Sequence, residues 1–219
     1  MIEELLPPNV VSVDTFEDRD DAWLFPEEAA LVGKAVERRR REFTTGRACA
    51  RRALCLLGAP VGPLLHGQRG APMWPTGVVG SITHCDGYRA AAVGRERDVL
   101  TIGVDAEPNA ALPPRVLGMI AHADERAWIE DCSARDPTVC WDRLLFSAKE
   151  SVYKAWFPVT HRWLDFSEAT VELDEHGECG FRATVRAKSN VPHELRQLSG
   201  RWIVCRGLLV TAISISRMA

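Results

Sequence analysis

Asp105 and Glu107 lie two residues apart in Gly103-Val104-Asp105-Ala106-Glu107-Pro108, at the end of an apolar run with the alternation of a β-strand. Side chains at i and i+2 of a strand share a face, so both carboxylates point the same way. At roughly 7 Å and an effective dielectric near 20, two such charges repel by ~2 kcal/mol. A cation offsets that repulsion, and a ligand set made only of oxygens favours Mg²⁺. A second segment, Phe146-Ser147-Ala148-Lys149-Glu150-Ser151-Val152-Tyr153-Lys154-Ala155-Trp156, adds a third carboxylate flanked by two lysines. Glu150 and Lys154 are spaced i, i+4. That spacing suits an ordinary surface ion pair worth ~0.3–0.5 kcal/mol, and equally an acid and a cation aimed at one substrate. Together the two segments have the chemistry of a site that holds a phosphorylated substrate through a metal.

Other residues could serve the same anion. Arg38 to Arg41 form an unbroken basic run, followed by Arg47, Arg51 and Arg52. Most of that run reads as a solvated helix face. Arg47, however, falls about 20° from the apolar stripe of the helix, and an arginine on the inward side needs an anion. Arg69 stands in the loop Gln68-Arg69-Gly70-Ala71-Pro72, and Thr83-His84 closes a strand beside a tight turn. By itself His84 reads as a hydrogen-bonded structural residue. The remaining histidines show no metal-binding or nucleophile-triad spacing. Neither a G-x-S-x-G elbow nor a Walker or dinucleotide-binding glycine pattern occurs.

The elements that must position these groups follow from periodicity. Pro26-Glu27-Glu28 opens a long helical pattern that reaches Leu57-Gly58, with Val36, Phe43, Ala50 and Leu54 on one stripe and a weak spot at Thr44-Thr45-Gly46. A Gly- and Pro-rich loop runs to Pro75. Strands are predicted over 78–83 and 89–93, joined by Cys85-Asp86-Gly87, and over 99–107. Two helices follow, about 114–132 and 137–157, the second stopped by Pro158. Its apolar stripe is Trp141, Leu144, Leu145, Ala148, Val152 and Ala155, and Arg143, Ser147, Glu150 and Lys154 lie opposite. Two hairpins complete the chain: 169–173 with 180–186 around Asp174-Glu175-His176-Gly177, and 202–205 with 208–215 turned by Arg206-Gly207. Helix followed by antiparallel strands, twice over, reads as an α+β fold of two similar lobes, 1–108 and 109–219.

Bulk properties narrow the function classes. The chain has 219 residues, 46% apolar content and a net charge of −3, so it can bury a sizeable core and offers nothing to nucleic acid or an anionic membrane. Seven cysteines, an odd number without a C-x-x-C pair, read as reduced thiols. The amino terminus lacks the basic start and apolar core of a signal peptide, and no run is apolar for long enough to span a membrane. A cytoplasmic protein is expected.

The motifs taken together resemble the Sfp-type 4′-phosphopantetheinyl transferases. The matching segments are Arg38-Arg39-Arg40-Arg41-Glu42-Phe43 with Gly46-Arg47-Ala48-Cys49-Ala50-Arg51, Gly70-Ala71-Pro72 with Trp74-Pro75, Gly80-Ser81-Ile82-Thr83-His84, Gly103-Val104-Asp105-Ala106-Glu107, and Phe146-Ser147-Ala148-Lys149-Glu150-Ser151 with Lys154. Order and spacing hold from about residue 36 to 165. Trp163-Leu164 and the hairpin from Arg201-Trp202 to Ile215 also resemble the actinobacterial branch, which serves polyketide, mycolate-type and siderophore synthases.

That resemblance implies two pseudo-symmetric lobes, each a helix packed on an antiparallel sheet, with coenzyme A in the cleft between them. It implies transfer of the 4′-phosphopantetheine arm to a serine of an apo acyl or peptidyl carrier protein, releasing adenosine 3′,5′-bisphosphate. Such carriers belong to polyketide, fatty-acid or nonribosomal peptide synthases. Asp105, Glu107 and Glu150 would hold Mg²⁺, with Mn²⁺ as the other ion such ligands accept. Lys154 would bind and protonate the departing bisphosphate with Lys149 alongside, and Glu150 is the candidate base. Thr83 and His84 would contact phosphates, and Arg39, Arg47 and Arg69 would hold the 3′-phosphate region. Ala106, between the acids, offers a metal no side chain. Two readings remain beside it: a Mg²⁺-dependent hydrolase of coenzyme A or a related nucleotide, and a non-catalytic module that binds coenzyme A or a carrier. A chain already doubled is expected to act as a monomer.

Overall fold

The computed structural model describes residues 1–173, 179–186 and 191–217. Its architecture is α+β, with two antiparallel sheets. The amino-terminal half contains β1 (Val10–Thr15), α1 (Pro26–Val32), α2 (Glu37–Leu56), β2 (Val78–Cys85) and β3 (Tyr88–Arg95), and its sheet has the order β1-β3-β2. The carboxy-terminal half contains β4 (Val99–Pro108), α3 (Val116–Ile120), α4 (Ala123–Arg135), α5 (Trp141–Thr160), β5 (Ala169–Leu173), β6 (Gly180–Val185), β7 (Gln197–Cys205) and β8 (Leu208–Ser216), in the order β4-β8-β7-β6-β5. The shorter sheet maps onto half of the longer one. In each, the first strand pairs with the last, the last pairs with the strand before it, and a 20-residue helix intervenes. The β5–β6 hairpin is an addition to the second lobe.

One expectation is corrected here. A boundary at residue 108 places β4 in the first lobe as a third consecutive strand, but β4 pairs with β8 and opens the second sheet, Asp105 lying opposite Thr211. Its free edge instead runs beside β2. There the hydroxyls of Ser81 and Thr83 accept hydrogen bonds from the Val104 and Ala106 amides, at 3.1 and 3.0 Å. Two side-chain oxygens thus satisfy buried amides that a continuous sheet would have paired.

The two faces of β4 have different jobs. Ile102, Val104 and Ala106 are buried in the core shared with Tyr88, Ala90 and Ala92 of β3. Gly103, Asp105 and Glu107 face α5. A Cβ on Gly103 would stand 1.9 Å from the Ser151 carbonyl oxygen, so only glycine lets α5 seat this closely. Leu144, Leu145, Ala148, Val152 and Ala155 carry the inner stripe of α5 into the second core. Ser147, expected on the polar face, is fully buried and shares hydrogen bonds with Thr211 of β8.

Other boundaries moved for local reasons. The first helical pattern is two helices, because Glu28 is buried and its carboxylate must reach both the Leu64 amide (2.9 Å) and Arg51 (2.9 Å). The break comes at Gly33 to Val36, leaving Val36 73% exposed rather than on the apolar stripe. Gly46 stays helical, packed against Ile82 of β2. The expected helix over 114–132 divides where the Glu125 carboxylate reaches back to cap the His122 amide at 2.7 Å. Pro158 does not stop α5: in the last turn it costs one hydrogen bond, and the helix ends at His161 in a left-handed conformation (φ 53°). Arg206 and Gly207 both have positive φ, as a two-residue hairpin turn requires. The Asp174–Gly177 turn lies outside the described residues. Cysteines among the described residues are all free thiols, and no helix there is long and apolar enough to cross a membrane.

Candidate active site

A cleft of about 280 Å³ opens between the lobes. Six expected site residues line it: Arg39 and Arg47 from α2, Arg69 from the loop, His84 from β2, and Glu150 and Lys154 from α5. Four arise in the first lobe and two in the second, so the cleft exists only because β2 and β4 run side by side.

Lys154 sits at its centre. Its Nζ donates to Asp105 Oδ1 at 2.7 Å and to the Val104 carbonyl at 3.1 Å, with Thr83 Oγ1 at 3.5 Å. Asp105 is held behind it, 7% exposed at the side chain, and Oδ2 is buried without a partner. Glu107 is gripped by Arg143, whose Nη1 donates to Oε2 at 2.9 Å. Burial, and then the Asp105 charge, raise the Glu107 carboxyl above its ordinary pKa, against the pull of Arg143. Burial raises Glu150 as well. Lys154 opposes that rise, and Asp105 and Glu107 add to it. The three acids therefore share one electrostatic centre. Among the described residues, no three acidic, imidazole or thiol groups are gathered closely enough to chelate an ion as they stand, since Lys154 and Arg143 occupy two of the acids. The orphaned Asp105 oxygen, with Glu107 and Glu150 both raised first by burial and further by the Asp105 charge, still fits an oxygen-ligated cation. Ala106 points into the core on the opposite side of β4, away from both acids.

The basic wall is built on Glu28. Arg51 pairs with Glu28 directly, and Arg47 Nε lies 4.0 Å from it while donating to the Leu64 carbonyl at 2.9 Å. The inward arginine thus finds an internal anion. One Arg47 nitrogen, Nη2, remains buried and unpartnered at the cleft. Burial lowers its guanidinium to about 10, so an arriving anion would relieve a strained charge. His84 is hydrogen-bonded to Arg39 through Nε2, and its Nδ1 faces Glu42 at 3.5 Å. Burial, then Arg39, depress His84 to about 4, which leaves it neutral near pH 7. Arg69 adopts a left-handed conformation (φ 54°), and its guanidinium lies 4.7 Å above the Trp163 ring, a bond between the loop and the second lobe.

Four of the ten expected site residues do not line the cleft: Asp105 and Glu107 lie behind Lys154 and Arg143, and Thr83 and Lys149 are placed elsewhere. Thr83 is 2% exposed and stitches β2 to β4 instead of facing the cleft. Lys149 is buried on the other side of α5, where it donates to Glu125 Oε2, the Ile120 carbonyl and the Phe166 carbonyl at 2.8, 2.6 and 3.1 Å. Its three protons are all taken, so it welds α4, α5 and the following loop and leaves nothing for a phosphate. Conversely, sequence reasoning gave no role to Arg143 or Tyr153. Arg143 stands two helical turns before Glu150, a spacing that could have flagged it. Tyr153 and Glu150 form the wall between the cleft and a smaller cavity bounded by Trp163, Leu164 and Phe166, and the Tyr153 hydroxyl is buried without a partner.

Comparison with known proteins places this geometry. Residues 27–94 match the 4′-phosphopantetheinyl transferase N-terminal domain, and residues 101–205 match the 4′-phosphopantetheinyl transferase superfamily. The gap between the matches, residues 95–100, falls at the start of β4, where strand pairing also divides the chain. The 4′-phosphopantetheinyl transferase Svp of Streptomyces mobaraensis is 51% identical, covering 100% of this chain and 91% of the relative. Npt of Nocardia iowensis, a protein of the same description, is 44% identical over 98% of this chain and 99% of its own. PptT of Mycobacterium tuberculosis, likewise a 4′-phosphopantetheinyl transferase, is 46% identical over 95% and 97%.

Proposed function

The chain belongs to the 4′-phosphopantetheinyl transferase superfamily, and we infer that its inter-lobe cleft is where the 4′-phosphopantetheine arm of coenzyme A passes to a serine of an apo carrier protein. The enzyme is a transferase that uses coenzyme A and acts on carrier proteins. What supports the cleft as its site is the convergence of four basic side chains with Glu150 on one opening. A diphosphate carries the charge those cations lack, and phosphoryl transfer depends chiefly on positioning and charge neutralisation.

In this reading Arg39, Arg47 and Arg69 receive the 3′-phosphate end, and neutral His84, held between Arg39 and Glu42, positions the Arg39 guanidinium beside them. The smaller cavity, lined by Tyr153, Trp163, Leu164 and Phe166 together with Lys149, Glu150 and Asp165, would take the arm, whose amides can meet its polar groups. Glu150, its pKa raised, takes the proton from the carrier serine as that oxygen forms its bond to the β-phosphorus of coenzyme A. The bond from that phosphorus to the bridging oxygen breaks, and Lys154 neutralises the departing adenosine 3′,5′-bisphosphate. Asp105, Glu107 and Glu150 would hold a Mg²⁺ ion, which when bound supplies further neutralisation of the diphosphate. The carrier would dock near the second-lobe segment that includes exposed Met119, with Arg115 and Arg126 close by in sequence to meet an acidic helix. Both walls of the cleft come from one chain, which supports action as a monomer. The net charge is −3, and no helix among the described residues is long and apolar enough to cross a membrane.

The test is the intact mass of apo carrier proteins incubated with coenzyme A, Mg²⁺ and the enzyme. Gain of one phosphopantetheine on at least one carrier is expected. Release of free phosphopantetheine without a carrier would instead mark a hydrolase.

A further inference from the structure

The acids of β4 are each half spent. Lys154 Nζ holds Asp105 Oδ1 at 2.7 Å, and Arg143 Nη1 holds Glu107 Oε2 at 2.9 Å. Asp105 Oδ2 is buried without a partner. Glu107 Oε1 likewise has no hydrogen-bonding or ionic partner among the described residues. Each β4 acid therefore has one oxygen without a partner among the described residues, and that of Asp105 is buried.

The two basic partners differ in what fixes them. Lys154 also donates to the Val104 carbonyl at 3.1 Å, but through an ammonium on a long stem that can turn among acceptors. Arg143 is fixed from behind: its Nε donates to the Ala110 carbonyl at 2.9 Å and its Nη2 to the Ala111 carbonyl at 3.0 Å. The guanidinium is planar and forked, so these two bonds set the position of Nη1 and with it the orientation of the Glu107 carboxylate. Arg143 cannot follow Glu107 without giving up both loop carbonyls.

Ion chemistry turns that geometry into selectivity. Ca²⁺ collects six to eight oxygens and commonly takes both oxygens of a carboxylate, whereas Mg²⁺ uses one or two carboxylates, keeps several waters and demands a tight octahedron. Acids restricted to one oxygen each suit the smaller ion. We propose that Arg143 determines which divalent cation the three acids accept, by holding Glu107 to a single available oxygen. This rests on the reading of Asp105, Glu107 and Glu150 as the cation ligands.

Calorimetric titration of the coenzyme A-saturated enzyme with Mg²⁺ and with Ca²⁺, in the absence of carrier, tests it. Arg143→Gln releases the second Glu107 oxygen, and its Ca²⁺ affinity relative to Mg²⁺ should rise about tenfold, a shift of about 1.4 kcal/mol. Arg143→Lys keeps a positive charge but lacks the fork, so its ratio should fall between wild type and Arg143→Gln. That variant carries the test if Arg143→Gln does not fold. General loosening of the protein would weaken both ions and leave the ratio unmoved. An unchanged ratio in the folded variants overturns the assignment to Arg143 while the cation reading stands. Wild-type protein that binds neither ion overturns both.

Discussion

Gly103→Ala should separate the two halves of the site without touching any charged group. A Cβ there lies 1.9 Å from the Ser151 carbonyl oxygen, 2.7 Å from the Ala155 nitrogen and 3.0 Å from the Ala155 Cβ. Carbon and oxygen in contact ordinarily keep about 3.3 Å, so β4 and α5 must part by about 1.4 Å along that line. Both neighbours are backbone atoms of a buried helix, which cannot turn aside as a side chain would. The bond from Thr101 Oγ1 to the Ala155 carbonyl, 2.7 Å, and that from Lys154 to Asp105, 2.7 Å, cross the same seam and would stretch with it. Overpacking of this kind costs roughly 1–3 kcal/mol, and a displacement of about 1 Å at reacting groups can cost ~10²-fold in rate. Initial rates of carrier modification and urea unfolding, measured on the same preparations, give both numbers. Gly62→Ala, in a loop away from the cleft with open space around it, is the control and should leave the rate unchanged and the urea midpoint no lower. Activity within twofold of wild type, at an unchanged urea midpoint, would refute the claim that this glycine sets the approach of the site's two halves.

Three further outcomes are expected. Lys149→Met leaves Glu125 buried and unpaired and should destabilise by roughly 3–5 kcal/mol; adding Glu125→Gln should recover more than half of that in urea unfolding, with an unchanged KM for coenzyme A. Glu150→Gln should lower kcat by ~10²-fold or more while coenzyme A binding, followed by calorimetry, is retained. His84 has its pKa depressed from 6.5 to about 4, so the unfolded chain takes up its proton first as pH falls. Stability from this residue is therefore complete above about pH 6.5 and is lost as pH falls toward 4, by no more than about 3 kcal/mol. His84→Gln should flatten that part of the stability–pH curve, and an identical slope in wild type and variant would remove the argument.

Spacing puts Asp105 with Glu107 on one strand face and Glu150 with Lys154 on one helix face. Lys154 does meet Asp105 at 2.7 Å, but among the described residues no three acids close on a common point. The two lobes could be read from element order. The pairing of β4 could not, because a strand following a hairpin looks the same in sequence whether it extends that sheet or begins another; hydroxyls at Ser81 and Thr83, in place of apolar residues, were the trace of the change. Lys149 misled for a related reason. Neighbouring residues on a helix diverge by about 100°, so a lysine beside a site acid faces elsewhere, and only the distant Glu125 shows where. Glu28 is the helix-start acid its position suggested, accepting from the Phe25 amide at 3.0 Å, but its second role was not legible because Arg51 and Leu64 lie far along the chain.

Acids from β4 and α5 are proposed to act together on one cation at the diphosphate. Crystals grown with coenzyme A and Mn²⁺, with anomalous scattering recorded at the manganese edge, would show that cation. One strong peak is expected, bounded by Asp105, Glu107 and Glu150, beside the coenzyme A diphosphate and within reach of Lys154. A bound coenzyme A with no peak there, or a peak that touches the β4 acids and not Glu150, would contradict it.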